Sequence, residues 1–431
     1  MRIVKYMLFV LLVAGMLMSA IQKDRHPFEI KPLNGSFVLA EEPTLTTTNW
    51  LDGSFQTQFD SYLEQHIGFR PFFVRLNNQF EYSVFNKISN ERVVKGKADY
   101  LFERWVINTY YGSDFVGIEK IEKQVTKLRA IDSVLKSRSV QLIVTLAPGK
   151  ADIYPENIPN FMIGDDKQQT NYKVYRDMLS ETEITVFDVN KWFLSIKPEF
   201  DRNLFTKGGT HWSRDAALIA LDSLFRLIEF ETEEPRNKIQ IDGITQIQIP
   251  KSPDIDILKI SNLLFNNLNT DYYYADFHYE KTHPKKGKLI ANSDSFFWIM
   301  FGSSLRSSFT EVKYWYYFNT VFPDNYKHPV TVKDIAVGKE LLESDVVLLM
   351  SSPANLKKFG WGFIDKAYDL LVKDIDKELA IEQIILTIKS DSNWFASIKK
   401  KADQREIVLD TMIRLDAEYL YKKRKLNRNV D

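Results

Sequence analysis

Lys288-Leu289-Ile290-Ala291-Asn292-Ser293-Asp294-Ser295-Phe296-Phe297 begins as a short buried strand, Lys288 to Ala291, passes through a polar turn, and enters a helical stretch starting near Phe296. A strand handed straight to a helix is the repeating unit of an open α/β sheet, and its turn lies at the carboxyl edge where sites form. The flanking sequence keeps that rhythm. Val140 to Leu146 is a continuous apolar run stopped by Pro148-Gly149, Ile184 to Val189 reads as a strand, and Val312 to Tyr317 and Val346 to Met350 supply two more. Ile118 to Ser137, Asn171 to Leu179 and Asp215 to Ile228 place apolar residues at helical spacing. Short apolar strands alternating with amphipathic helices predict an α/β fold with a parallel sheet covered by helices on both faces.

Outside this block the rhythm changes. Ser54 to Ile88 reads as helix, punctuated into two pieces by Gly68 and Pro71, and Val93 to Phe102 resembles a hairpin around Gly96. The segment 231–283 breaks the alternation and reads as an insertion with β character, and successive helices follow Trp361. The expected organisation is a membrane segment at 1–21, a linker at 22–50 broken by Pro27, Pro32, Gly35 and Pro43, a main domain at 51–375, and a helical C-terminal tail at 376–431.

The chain has 431 residues, of which 44% are apolar and 13% aromatic, enough to bury a large core. Lys plus Arg and Asp plus Glu number 57 each, a balance that argues against a nucleic-acid partner. Cysteine is absent, so thiol nucleophiles, thiolate metal sites and disulfides are excluded. The six histidines show no metal-ligand spacing, and neither a Walker A nor a G-x-G-x-x-G sequence occurs, so no metal or cofactor is expected.

Arg2 and Lys5 precede a run from Tyr6 to Ile21 without a charge. At about 1.5 Å per residue this helix spans roughly 24 Å, and including Ile3 and Val4 brings it close to a ~30 Å hydrocarbon core. An uncleaved anchor and a signal peptide cut after Met18-Ser19-Ala20 are the two readings; the bulk of Met18 favours the anchor. Either leaves the positive end in the cytoplasm and the body outside it.

Three segments bring reactive side chains to the expected sheet edge: Ser295 on its turn, His211 in Thr206-Lys207-Gly208-Gly209-Thr210-His211-Trp212-Ser213, and Lys150 after Pro148-Gly149. A serine and a histidine on converging loops are the minimum for acyl transfer through a covalent ester, with N–H groups at the start of the following helix available to an oxyanion. Ser-Asp-Ser is ordinarily a helix cap, however, and a histidine before a tryptophan is ordinarily structural. Spacing alone supports an exported α/β protein.

The ordered set of motifs adds more. Thr-His-Trp-Ser at 210–213, followed far downstream by a strand ending in Ser-Asp-Ser-Phe-Phe at 293–297, resembles the AlgJ/AlgX-like alginate O-acetyltransferase group of SGNH-hydrolase-like proteins, whose histidine motif precedes the serine motif. His66-Ile67-Gly68-Phe69-Arg70, Gly96-Lys97-Ala98-Asp99-Tyr100-Leu101-Phe102 and Pro148 to Glu156 resemble further elements of that family, so the likeness spans roughly Ser54 to Tyr368. It implies an SGNH-hydrolase-like fold, Ser295 as nucleophile and His211 as general base, with Lys150, Tyr154, Trp212 and Asp294 at the substrate site and Asp294 bracing the serine turn. It also implies acetyl transfer to an exported polysaccharide, a membrane-bound O-acyltransferase as donor partner, and a periplasmic or other extracytoplasmic location. An esterase using the same pair, and a noncatalytic polysaccharide-binding subunit, are the competing readings.

The chain departs from the family at two places, one of them Ser293, where the family commonly has a glycine before Asp-Ser. The family carries an aspartate two residues before the histidine, and this chain has Gly209. An orienting carboxylate can be worth ~10⁴ in turnover, about 5 kcal/mol of barrier. Asp188, at the end of its strand, is the expected substitute, with Asp201 or a backbone carbonyl as alternatives.

Overall fold

The computed structural model describes residues 2–428 apart from 36–37, 165–166, 266–267, 269, 271, 281–282 and 303–304. Its strands are β1 (Val93–Lys95), β2 (Leu101–Glu103), β3 (Gln141–Leu146), β4 (Thr185–Asp188), β5 (Lys238–Ile247), β6 (Tyr272–Glu280), β7 (Lys288–Ser293), β8 (Glu311–Tyr316), β9 (Thr320–Phe322) and β10 (Val346–Ser351). Six of them form the central sheet in the order β4-β3-β10-β7-β8-β9. The first five are mutually parallel, and β9 is an antiparallel edge.

Side chains alternate across a strand, so a sheet covered on both sides must be apolar at every position. β10 satisfies this throughout: Val346, Leu348 and Met350 face one core and Val347 and Leu349 the other. The first core is closed by the helix Arg214–Thr232, through Ala217, Leu221, Leu224 and Phe225, and by Phe193 and Phe297. The second is closed by the helices Ile118–Lys136 and Asn171–Ser180. The three-layer α/β architecture expected from sequence is therefore present, with an N-terminal apolar helix and C-terminal helices attached.

Boundaries differ where pairing overrides propensity. β7 continues two residues past Ala291, because Asn292 and Ser293 are paired with β10 on one side and β8 on the other. The 231–283 segment holds the antiparallel pair β5–β6, bulged at Ile241/Gly243, and a five-residue helix, Asp256–Ile260, in the connection between them. At the C-terminus the helices Asp374–Ser390, Ser392–Arg405 and Leu409–Arg428 share a core of their own around Ile384, Ile388, Ile398 and Ile413. At the other end, the helix Arg2–Arg25 is long and apolar enough over Ile3–Arg25 to cross a membrane.

Leu348 is fully buried at the centre of the middle strand, opposite Ile143 and Ala291. Leu348→Ala is expected to lower unfolding stability by roughly 2–5 kcal/mol, read from urea denaturation, since both neighbouring strands prevent collapse of the cavity.

Candidate active site

Ser295 sits on a turn held from beneath by Asp294, which is buried with no exposed surface. Asp294 Oδ2 accepts from the Ser352 backbone N–H at 2.8 Å, the Ser352 hydroxyl at 2.7 Å and Asn355 Nδ2 at 2.9 Å, and Oδ1 accepts from Phe296 N–H. Its carbonyl accepts from the Tyr314 hydroxyl at 2.6 Å. These bonds lock the turn after β7 to the loop after β10 and leave the Ser295 hydroxyl pointing into a cavity. The helix that follows, Phe297–Gly302, is a single short element, and the N–H groups of Phe297 and Trp298 turn back to Asp294 O and Ser295 O. The oxyanion donors expected from a long helix start are thus already engaged.

The histidine loop is fixed with equal care. Phe205 and Trp212 bridge its base, and the Ser213 side chain caps the helix Arg214–Thr232 by accepting from Ala216 N–H. Trp212 is fully buried, and its Nε1–H donates to Phe296 O at 3.2 Å, tying this loop to the serine turn. Next to it, His211 Nε2 lies 2.8 Å from Ser295 Oγ. The other ring nitrogen, Nδ1, lies 2.7 Å from Asp256 Oδ2. Asp256 is itself held by Thr210 N–H at 2.7 Å and Ile257 N–H at 2.8 Å, both on Oδ1. A Ser–His–Asp line therefore exists, and its acid comes from the short helix between β5 and β6.

Gly209 explains the change of donor. A Cβ at this position would stand 2.6 Å from Thr206 Oγ1 and 2.9 Å from the Asp254 carbonyl oxygen, closer than real side chains sit. The 254–256 backbone occupies the space that an aspartate at 209 would need, and two residues farther on it presents Asp256 to the imidazole.

The acid expected at Asp188 is corrected. Asp188 accepts from the Tyr172 hydroxyl at 3.0 Å and caps the helix Val189–Ile196 through Lys191 N–H, so its oxygens are used for structure. Asp201 is exposed and pairs with Arg202. Three of the residues expected at the substrate site are also structural: Trp212 and Asp294 by the bonds above, and Tyr154 by accepting from Leu204 N–H at 3.1 Å. Lys150 does border the cavity, but its ammonium is spent inward, donating to Leu101 O, Lys207 O and Gly209 O at 2.7, 3.0 and 2.6 Å. Burial pulls its pKa down to about 7, against the pull of Asp256 and Glu103.

The cavity in front of Ser295 and His211 has a volume of about 370 Å³ and is bordered by Glu103, Trp105, Asp152, Thr210, Tyr316 and Tyr317 among others. Asp152 is pushed up to about 6 by burial. The Tyr317 phenol lies against the hydroxyl and backbone N–H of Ser295, and burial raises its pKa to about 12, so it keeps its proton at neutral pH. In sequence Tyr317 is only the last residue of the expected strand Val312 to Tyr317, and nothing in that local pattern marks it. Among the described residues no cluster of three or more His, Cys, Asp or Glu is placed to hold a metal ion.

Two expectations follow from the packing at Gly209. Gly209→Asp, which restores the family residue, should lower the thermal midpoint, at a cost of about 1–3 kcal/mol, and should not rescue Asp256→Asn in any activity assay. Asp254, buried and bonded to the Tyr274 hydroxyl at 2.5 Å, has its pKa raised from 3.8 to about 6, chiefly by burial. Its folded form holds the proton more tightly than the unfolded form, so its contribution is present below pH 3.8 and lost as pH rises to 6. Asp254→Asn should remove a decline on the order of 3 kcal/mol across that window, visible as a flatter plot of urea midpoint against pH.

Comparison with known proteins finds a likeness for the segment that holds this site. No curated protein matches the chain in sequence. Among solved structures, the O-acetyltransferase domain of Pseudomonas putida AlgJ is 14% identical, with 64% of this chain and 98% of that one covered and a TM-score of 0.42. AlgX of Pseudomonas aeruginosa is 15% identical over 63% and 66% of the two chains (TM-score 0.38), and Bacillus cereus PatB1 is 11% identical over 63% and 99% (TM-score 0.40). The family model for the SGNH hydrolase-like domain of acetyltransferase AlgX matches residues 93–304, a span that contains His211, Asp256 and Ser295. Over residues 93–304, just under half of its length, the chain is thus similar to the SGNH hydrolase-like domain of acetyltransferase AlgX.

Proposed function

We propose that this protein transfers an acyl group, acetyl by its family, to a hydroxyl of an exported polysaccharide through a covalent ester on Ser295. The observation that carries the reading is the line Asp256–His211–Ser295, with 2.7 and 2.8 Å at the two ring nitrogens, opening into the cavity. With the Nδ1 proton held by Asp256, Nε2 is left to accept from the Ser295 hydroxyl. In the first half, Oγ bonds to the acyl carbon of the donor while its proton passes to Nε2. The bond from acyl carbon to leaving group then breaks, and the leaving group takes that proton. In the second half an acceptor hydroxyl gives its proton to Nε2 as its oxygen bonds to the acyl carbon. The Ser295 ester breaks and the proton returns to Oγ. The protonated Tyr317 phenol stands beside Ser295 and supports this reading as a donor toward the negative charge that develops on the acyl oxygen.

The same reading assigns residues 1–21 to the membrane, 22–50 to a linker, 51–375 to the catalytic body outside the cytoplasmic membrane, and 376–431 to a helical tail. Donor acyl groups then arrive through a membrane-bound O-acyltransferase. The acids Glu103, Asp152 and Asp256 border the cavity, and the ammonium of Lys150 is committed to carbonyls. An acceptor hydroxyl on a neutral sugar suits this lining better than one on a uronate, whose carboxylate meets like charge.

Hydrolysis of a chromogenic acetyl ester by the full-length protein should be lost in Ser295→Ala and His211→Ala. Asp256→Asn should reduce kcat by roughly 10²–10⁴, and Asp188→Asn should stay within a few-fold of wild type. Equal rates in wild type, Ser295→Ala and His211→Ala would end the enzymatic reading. With neutral oligosaccharides added, mass spectrometry should find acetylated product in excess of free acetate and of acetylated oligouronate. Free acetate alone would make the protein an esterase.

A further inference from the structure

The helix Arg70–Phe85 is amphipathic in the wrong direction for a helix packed on a water-soluble body. Phe72, Phe73, Leu76, Phe80 and Val84 recur at three- and four-residue spacing and share one stripe, and all five are exposed, Phe80 at 55% and Val84 at 58%. The side turned toward the body carries Asn78 and Arg75, with Tyr82 packed on the small core around Ile88 and Leu101. Asn78 is buried and donates from Nδ2 to Ser261 O at 3.1 Å and Asn262 O at 3.2 Å, and Arg75 donates to Lys31 O and Pro32 O. A stripe of five large apolar side chains without a charge among them calls for an apolar surrounding.

The position of the N-terminal helix says which one. The turn before this helix touches the helix Arg2–Arg25: a Cβ on Gly68 would come within 2.0 Å of Ser19 O, and Ser19 and Gln22 are buried there while Ile3 to Met18 are exposed. Leu12, Met16 and Ser19 share a groove with Leu63, Ile67 and Phe73. The first charged residue after the apolar run is Lys23. At about 1.5 Å per residue, Ser19 lies roughly 6 Å and Met16 roughly 10 Å toward the N-terminus from Lys23. If Lys23 marks the outer surface of the bilayer, side chains packed beside Met16 and Ser19 lie at the depth that an interfacial helix occupies.

We infer that residues 54–85 form a second membrane contact: the helices Ser54–His66 and Arg70–Phe85 lie on the outer face of the bilayer, with the Phe72–Val84 stripe immersed among lipid chains. The contact rests on the reading of Ile3–Arg25 as a membrane helix and adds to it a surface that fixes the orientation of the body. A single crossing helix allows the body to tumble on its linker, whereas a helix pair laid flat beside it does not.

The absence of cysteine makes the test direct. Single-cysteine forms of the full chain at Leu11, Leu76, Phe80 and Lys123 would be spin-labelled and reconstituted in liposomes. The accessibility of each nitroxide to oxygen and to a water-soluble nickel chelate would then be compared. Lys123 lies exposed on a helix of the central body and serves as the aqueous reference. The expected result is an oxygen-to-nickel ratio at 76 and 80 several-fold above that at 123 and approaching that at 11. A lipid-like ratio at 11 with aqueous ratios at 76 and 80 would overturn the second contact and leave the anchor intact. Aqueous ratios at 11 as well would overturn the anchor and the contact together. Labels at 76 and 80 shielded from both reagents would overturn it in favour of a protein–protein face.

Discussion

The approach of the 254–256 backbone to Gly209 is the contact on which the site depends. Two chain segments meet there at a separation that admits no side chain, with Asp254 O 2.9 Å from where a Gly209 Cβ would stand and Leu258 N–H donating to Gly208 O. The approach aligns Asp256 so that one carboxylate oxygen meets the imidazole and the other takes two backbone N–H groups. An acid held in this way cannot rotate off the histidine without breaking bonds to its own backbone, which is the rigidity an orienting carboxylate needs.

Lys150 performs the complementary task from the other side of the loop. An ammonium taken out of water costs several kcal/mol unless its donors are met, and three carbonyls meet all three of them. One belongs to the first residue of β2 and two to the histidine loop, so a single cation clamps the β1–β2 hairpin to the segment that carries His211. The residue that resemblance placed at the substrate therefore acts behind it, and its depressed pKa reflects that burial. Trp212 adds the last restraint, joining the two reactive loops through Phe296 O. The Ser295–His211 separation is set by this scaffold before any substrate arrives.

The sheet was legible because its strands are short apolar runs separated by helices of clear period, and such runs have few alternatives in a chain of this composition. The approach of His211 to Ser295 was legible through motif order. The acid was not, because Asp256 is 45 residues from His211, on one turn of helix inside a polar segment with no pattern of its own. The misplaced expectation of Asp188 has a definite cause. It does lie at a strand's carboxyl end, but β4 is the sheet edge and two strands, β3 and β10, separate it from β7, where the serine turn forms. The useful signal was Gly209 itself. A glycine where the resembled family carries an acid marks a place where another backbone comes close, and the 254–256 backbone is the one that does.

The N-terminal region shows a second boundary of sequence reading. Hydrophobic periodicity over residues 70–85 identifies a helix and its stripe, and the two helical pieces split at Gly68 and Pro71 are present as expected. Periodicity cannot say which way the stripe faces, because the same pattern serves a helix that buries its apolar side in a protein and one that offers it to lipid. Direction is decided by what the opposite face finds. Here Asn78 and Arg75 find the backbone carbonyls of Ser261 and Lys31, so these polar groups are satisfied inward and the aromatic stripe is left outward, beside the one helix among the described residues suited to a bilayer.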